Sequence, residues 1–494
     1  MRNKALLTLL IGTIGLTQAQ TQPEIFDLQR SIELATDSSL QAFRAQNIYQ
    51  FSSWEYRTYE ATRLPSLTLS LTPLRYHRDF VSRYDSEKNI DVFRRQQSLY
   101  SHGNLSLVQH VGFTGGTLYV DSELGYFRNI GINPYAQYTS VPLRIGYTQS
   151  LFGYNRFRWE KIIEPLKYER ARQQYLTSRE QISETVIHNF FNLAAAQMEY
   201  DMAVDNVVSS DSLYKIGIER QAIASISQSD LLTLRLDALN ARNTLKTVEI
   251  ELKRAMFNFV SYLNLPKNTA VRLHLPDLPQ ELRVEPEKVL QLAKENNPDY
   301  LLFKQSILEA EREVDRTKKS SAFDANFSAS VGFNQVADRA GDAYRNPLQQ
   351  DMVRVGITIP LIDWGVRKGR YNMAKSNLNV ATLTAKQSET DLEQDIILTT
   401  SDFNAQLDLI NSADEARTLA TLAYESTKAR FIIGKADINS LTLSLNRLNL
   451  AQRNYINSLK RYWLSYYKLR KLSLYDFENN KPLSYQFDYS LNLR

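Results

Sequence analysis

The chain has 494 residues, 43% of them apolar, with only 17 glycines and 14 prolines, which favours long uninterrupted elements over many tight turns. Its 59 basic and 54 acidic residues leave a formal charge of +5 with no concentrated basic patch, so it does not read as a nucleic-acid binder. The absence of cysteine excludes a disulfide framework and a lipid-bearing cysteine.

At the N-terminus, Arg2 and Lys4 precede the apolar run ALLTLLIGTIGL, and TQAQ follows. A charged n-region, an apolar h-region and a small-residue cleavage site predict a signal peptide over residues 1–19, against the competing reading of a buried first helix. No other segment carries the roughly 18 consecutive apolar residues of a membrane helix. A chain that is exported and crosses a membrane must then do so as a barrel.

The mature chain reads as two copies of one plan. Residues 20–265 form the first repeat: helices, membrane strands at about 64–74 and 103–151, and a helical hairpin over 155–264. Residues 266–285 form a linker. Residues 286–474 form the second repeat, with helices, strands at about 323–334 and 351–362, and a helical hairpin over 364–473, before a tail at 475–494. Three blocks carry the duplication. GITIPLIDWG from Gly356 matches GYTQSLFGYN from Gly146 at an offset of 210; LTLSLNRLN (441–449) matches LTLRLDALN (232–240) at an offset of 209; VLQLAKENNPD matches SIELATDSSLQ at an offset of 258, with Ala293 on Ala35.

The strand segments alternate with period two. Leu67, Leu69 and Leu71 share a face, as do Val141, Leu143, Ile145 and Tyr147, then Phe327, Ala329, Val331 and Phe333, then Val353, Val355, Ile357 and Ile359. Such alternation fits a membrane barrel with a wet lumen. Taken alone, it fits a soluble β-sandwich equally well. Thr114-Gly115-Gly116 lies between two alternating runs and predicts a hairpin turn, its glycines supplying positive φ. Whether this extra hairpin stands in a barrel wall or above it is left open by the pattern.

The helical stretches are far longer than globular helices. From Asn155 to about Tyr214 the only interruption is Pro165, giving roughly 90 Å of helix. Leu441, Leu445, Leu448, Gln452, Tyr455, Leu459, Tyr462, Tyr466 and Leu469 follow a 3.5-residue seam, as do Leu245, Val248, Leu252, Ala255 and Phe259. A seam of this kind needs its hairpin partner or another subunit. At the turns of the two hairpins, Gly217 and Gly434 read as helix C-caps, and Asp230 and Asp437 as N-caps of the returning helices. Where strand meets helix, Pro360 ends a ladder, and Trp364 and Tyr154 stand at matching positions as membrane-interface anchors.

The order and spacing of these motifs, with TIPLIDWG running into a long helix and FIIGKADINSLTLSLNRL at the second hairpin, resemble the TolC-like outer-membrane efflux proteins from about Phe26 to about Leu474. QSLFGYN stands where that family commonly has Gln-Pro-Leu-Phe, with Ser150 in place of proline. The resemblance implies a mainly α chain with transmembrane β: a homotrimer in the bacterial outer membrane, with a shared β-barrel of about twelve strands, fewer or more depending on the insert, above a periplasmic α-helical barrel. It implies a lipid bilayer around the strands, a periplasmic adaptor (membrane fusion) protein and an inner-membrane RND or ABC transporter as partners. The linker would sit in an equatorial belt. Gly217, Asp230, Gly434, Asp437, Asn439 and Ser440 become the candidate periplasmic gate and adaptor contacts. In familiar members of the family, aspartates narrow the aperture at positions aligning with Ser440 and Leu443, an arginine aligns with Ala436, and a tyrosine with Phe431. None of these is kept here, so the aperture is expected to close through other contacts.

No catalytic site, cofactor or metal site is expected. The five histidines are scattered without metal spacing, and neither a Walker glycine loop nor Gly-x-Ser-x-Gly occurs. The rival to a channel is an exported coiled-coil stalk without channel activity. The seams suit it, but it gives no reason for strand pairs to interrupt two equivalent helical halves.

Overall fold

A computed structural model describes residues 23–486 except 131–133, 224, 280 and 322. The expected signal peptide, 1–19, and the end of the tail, 487–494, lie outside the described residues. In chain order the elements are β1 (Glu24–Phe26), α1 (Leu28–Ser38), α2 (Leu40–Thr62), β2 (Ser66–Asp85), β3 (Ile90–Val111), β4 (Gly116–Asn129), β5 (Tyr135–Ser150), α3 (Arg156–Ala222), α4 (Gln228–Tyr262), β6 (Val271–Leu273), α5 (Pro286–Asn296), α6 (Pro298–Ser321), β7 (Asp324–Ala337), β8 (Leu348–Thr358), α7 (Val366–Ile432), α8 (Ile438–Ser473), β9 (Tyr475–Asp476) and β10 (Lys481–Pro482).

The duplication is visible in the element boundaries themselves. Helices α3 and α7 both have 67 residues and begin 210 positions apart. Helices α4 and α8 also begin 210 apart, and α1 and α5 have 11 residues each at an offset of 258. Burial follows the same spacing: Leu234, Ala238 and Ala241 on α4 match Ser444, Leu448 and Ala451 on α8, all buried. The 232–240 to 441–449 sequence match is therefore one residue out of step with the helix faces. Its offset of 209 places buried Leu234 on Leu443, which is half exposed.

The strands form a six-stranded antiparallel sheet of order β2-β3-β4-β5-β7-β8. The insert hairpin is a member of this sheet. Its turn has Gly115 at φ +79°, whereas Gly116 already begins β4 in extended form. The first strand was expected to stop near residue 74 but continues to Asp85, paired with β3 as far as Ile90. Beyond the register shift at Thr72/Arg75 the alternation changes phase, to Leu74, Tyr76, Phe80 and Tyr84, and Arg78 interrupts it. Ladder pairing alone satisfies the backbone of this segment. Beta8 ends at Thr358, just before Pro360.

The chain divides into two compact units, and each takes segments from both halves. One holds the sheet, within Gln46–Leu176 and Leu290–Ile396. Here β5 runs into α3 and β8 into α7. Trp159 Nε1 donates to Asp315 Oδ2 at 2.9 Å, tying α3 to α6. The hydroxyls of Tyr49 and Tyr168 lie 3.0 Å apart, joining α2 to α3.

The other unit comprises the chain up to Ala45, Thr177–Val289 and Ile397–Pro482. Its core includes Phe26, Phe190 and Phe259 in edge-on contact, with centroids 6.0 and 6.3 Å apart. Such pairs contribute about 0.5–1.5 kcal/mol each beyond burial. The α8 seam is used within the chain: Leu459 and Leu469 are fully buried, and Tyr462 and Tyr466 pack on Phe403 of α7. The expected linker contributes β6, paired in parallel with β1, and Val284, whose N–H and C=O are both taken by the Asn404 amide at 3.0 and 2.8 Å.

One buried charge network closes the end of α8. The Arg470 guanidinium donates to Glu180 at 3.0 and 3.2 Å and to Asp476 at 3.1 Å, while Tyr466 Oη donates to Asp476 at 2.9 Å. Burial pushes the Asp476 carboxyl up, but donation from the Asn479 side chain and backbone and the Arg470 charge outweigh it and hold it below the usual range.

Candidate functional site

The residues expected at the hairpin turns all fall in the helical unit. Helix α7 ends in a Schellman motif: Lys435 N–H donates to Arg430 C=O at 2.8 Å, and Gly434 N–H to Phe431 C=O at 3.0 Å. Gly434 takes φ +79°, the left-handed conformation that glycine adopts without a Cβ penalty. At the first turn, Ser225 N–H reaches Arg220 C=O at the same 2.8 Å, again 210 positions earlier.

Asp437 is the N-cap of α8, its carboxylate accepting the Ser440 N–H at 2.6 Å. This backbone donation holds the Asp437 carboxyl below the usual aspartate range. Ser440 thus serves the cap through its backbone, and Asn439 lies exposed in the same first turn.

Two of the expected roles are corrected. Gly217 does not end α3, which continues to Ala222. Gly217 is instead buried at a close helix approach, where an added Cβ would lie 2.5 Å from Leu234 Cδ1. Asp230 is not the N-cap of α4 either. Ser227 is the cap and Asp230 its third-position partner: Asp230 N–H donates to Ser227 Oγ at 3.1 Å, and Ser227 N–H returns to Asp230 Oδ2 at 3.1 Å. This is a capping box, and its Ser-x-x-Asp signature is present in the sequence at 227–230.

The two turns are joined by a contact missed from sequence. Arg220, in the last turn of α3, places its guanidinium carbon 5.5 Å from the centre of the Phe431 ring on α7. It also crowds Gly434, where an added Cβ would lie 2.7 Å from Arg220 Nη2. A groove of about 1030 Å³ runs between the turns, lined by Arg220, Arg430, Lys435 and Arg447 with only Asp230 and Asp437 as acidic groups. Arg220 and Arg430 themselves stand 210 apart, the one sequence signal that pointed to them. Below the groove, Phe431, Leu441, Leu448 and Tyr424 form a buried cluster with Leu213 and Leu445 against it.

The two expected interface aromatics differ. Trp364 is 94% exposed at φ +54°, in a turn where Asp363 accepts from the N–H groups of Gly365 and Arg367 at 3.0 and 3.2 Å. Tyr154 is half-buried, and its neighbours Leu151 and Phe152 are exposed in its place.

The sheet offers a matching pair of faces. Leu67, Leu107, Val120, Ile145 and Val331 lie side by side across five strands. The adjacent row, Thr68, Ser106, Asp121, Arg144, Gly332 and Gln350, crosses all six strands, with Arg144 Nε donating to Asp121 at 3.0 Å. The apolar row is widely exposed, Leu67 at 65% and Val331 at 59%. Among the described residues no helix is long and apolar enough to cross a membrane, and no acidic or histidine cluster could hold a metal.

Residues 289–473 match the family model described as outer membrane efflux protein. This part of the chain is similar to outer membrane efflux proteins. The fold agrees over a longer span. The chain is similar to the outer membrane channel CmeC of Campylobacter jejuni, with a TM-score of 0.66 and 13% identity over 94% of this chain and 88% of that one. It is similar to the outer membrane protein VceC of Vibrio cholerae at 0.62 and 15%, covering 90% and 95%. A membrane protein from Pseudomonas aeruginosa gives 0.63 and 13%, covering 90% of each chain. No curated protein sequence matches the chain. The matched residues run from within α5 through α8 and include β7 and β8, and the equal helix lengths carry the same architecture into the first half.

Proposed function

We propose that this chain is the outer-membrane exit duct of a tripartite efflux or type I secretion system. It would conduct substrates passively from a periplasmic adaptor and an inner-membrane RND or ABC transporter to the outside. The observation that carries the reading is the pairing of a two-faced sheet with twin 67-residue helices leaving β5 and β8, in a chain similar to outer membrane efflux proteins over residues 289–473. Lipid suits the exposed apolar rows, and a wet lumen suits the polar ones.

A homotrimer fits the helices. With the α8 seam already used inside the chain, a second set of leucines remains exposed: Leu232, Leu236 and Leu239 on α4, and Leu443 and Leu450 on α8, at four- and three- or seven-residue spacing. These are surfaces for neighbouring copies. Gly217, Asp230, Gly434, Asp437, Asn439 and Ser440 lie at or beside the turns, which we assign as the gate and adaptor contact. The groove there carries more positive than negative groups, and so favours an acidic adaptor surface. Trp364 is assigned as an interface anchor, with Tyr154 its weaker counterpart.

The coiled-coil stalk reading leaves the exposed leucine rows of the sheet in water. Membrane fractionation tests the choice. A heat-modifiable band extracted only by detergent is expected; release from membranes by salt would support the stalk.

A further inference from the structure

We propose that all six strands stand in the wall of one barrel, so that three copies close an eighteen-stranded pore rather than one of about twelve. The partner of each free sheet edge is then a second copy of this chain. The proposal rests on the trimeric channel reading above.

Four observations carry it. Strand β3 pairs with β4 without interruption from Ser98 opposite Asn129 to Val111 opposite Gly116, so the first hairpin is hydrogen-bonded into the sheet. The apolar row and the polar row both continue through β2 and β3, as Leu67 and Leu107 and as Thr68 and Ser106. A hairpin standing clear of the bilayer needs neither face. Leu67, Leu69 and Leu71 are 61–65% exposed on β2, a lipid-ready edge like that of Val353, Val355 and Ile357 on β8. The β3–β4 turn is also fixed at the foot of the sheet: Asn155, just ahead of α3, donates to the carbonyls of Gly112 and Phe113 at 3.1 and 3.2 Å, and His110 stacks on Phe157.

The topology allows closure. All neighbours are antiparallel and the strands are even in number, so β2 and β8 run in opposite directions. An antiparallel pair between β8 of one copy and β2 of the next therefore repeats around a ring. An open edge inside lipid leaves its backbone groups unsatisfied, which the bilayer does not tolerate. With strands about 4.8 Å apart and tilted about 40°, eighteen strands enclose a ring roughly 36 Å across, against roughly 24 Å for twelve. From Ile90 to Gln96, β3 pairs with β2 alone, so the hairpin extends past the wall as a two-stranded ribbon.

The chain lacks cysteine, which makes disulfide trapping free of background. The test uses full-length protein in outer membranes. One set pairs a cysteine at Thr68, Ser70 or Thr72 with one at Met352, Arg354 or Gly356. A second set keeps the β8 positions and moves the other cysteine to Thr117, Tyr119 or Asp121 on β4. Oxidation in the first set is expected to give a three-rung ladder on denaturing gels. A ladder confined to the second set means that β4 is the true edge and overturns the proposal while the channel reading stands. Heat-modifiable trimers with neither ladder also overturn it. Loss of membrane insertion and trimers in the cysteine-free parent overturns both. A map of the detergent-solubilised trimer gives an independent strand count, eighteen expected and twelve contradicting it.

Discussion

Arg220 and Phe431 join the two helical hairpins at their turns, the guanidinium carbon standing 5.5 Å from the ring centre. The aligned family tyrosine is a phenylalanine here and the aligned arginine is Ala436, so in the proposed gate this pair would take the place of that lock. A cation–π contact of this kind contributes about 1 kcal/mol. That corresponds to roughly a fivefold shift between two states. Arg220→Ala and Phe431→Leu should each raise open probability in planar bilayers several-fold with trimers intact. Unchanged gating in both would remove the pair from the gate.

The α7–α8 turn should respond to backbone and charge changes separately. Gly434→Val places a branched side chain at φ +79°, at a cost of about 1–2 kcal/mol, and against Arg220. Asp437→Lys removes the cap. The Asp437 carboxyl is held below its unfolded value of 3.8, so its contribution is fully present above pH 3.8 and is lost as pH falls through the lowered value. Both variants should leave trimers in the membrane but alter conductance or export. Conductance identical to the parent in the double variant would make this turn a plain loop.

Arg470 should be the most sensitive charged residue of the helical unit. It is 8% exposed and holds Glu180 and Asp476 together. Removing one member of a buried ion network costs about 3–5 kcal/mol, because the others stay buried without a partner. Arg470→Ala should lower the melting temperature of the purified protein markedly, while Lys253→Ala, on an exposed helical pair, should not. Equal, small shifts would contradict the network's role.

Trp364 is held in a left-handed conformation at 94% exposure, a poor arrangement for a ring in water. Trp364→Gly relieves about 1 kcal/mol of backbone strain. If the ring anchors at the bilayer surface, the variant should nevertheless fold into liposomes with lower yield, as read by gel mobility. Equal or higher yield would leave the tryptophan without an interface role.

The sequence shows the duplication because each half must build the same helices, and their lengths agree to the residue in α3 and α7. It shows the core strands because apolar and polar residues alternate between the two faces of the sheet. It hides the outer half of β2, where the alternation changes phase at the irregularity after Thr72 and Arg78 interrupts it. It hides Arg470 as well, since an arginine near the end of a polar helix looks solvated until the tail folds over it. Gly217 was misread because a glycine near a helix end signals a cap and a close approach in the same way; only the position of Leu234 separates them. Asp230 was misassigned although Ser227 stood three residues before it, the spacing of a capping box.

Single-channel recording of the purified full-length protein in a planar bilayer decides whether this chain is a gated duct. Stepwise, ohmic conductance is expected, altered by Arg220→Ala and Gly434→Val but not by Lys253→Ala. A protein that inserts as heat-modifiable trimers yet passes no current, in the parent and in every turn variant, would contradict it.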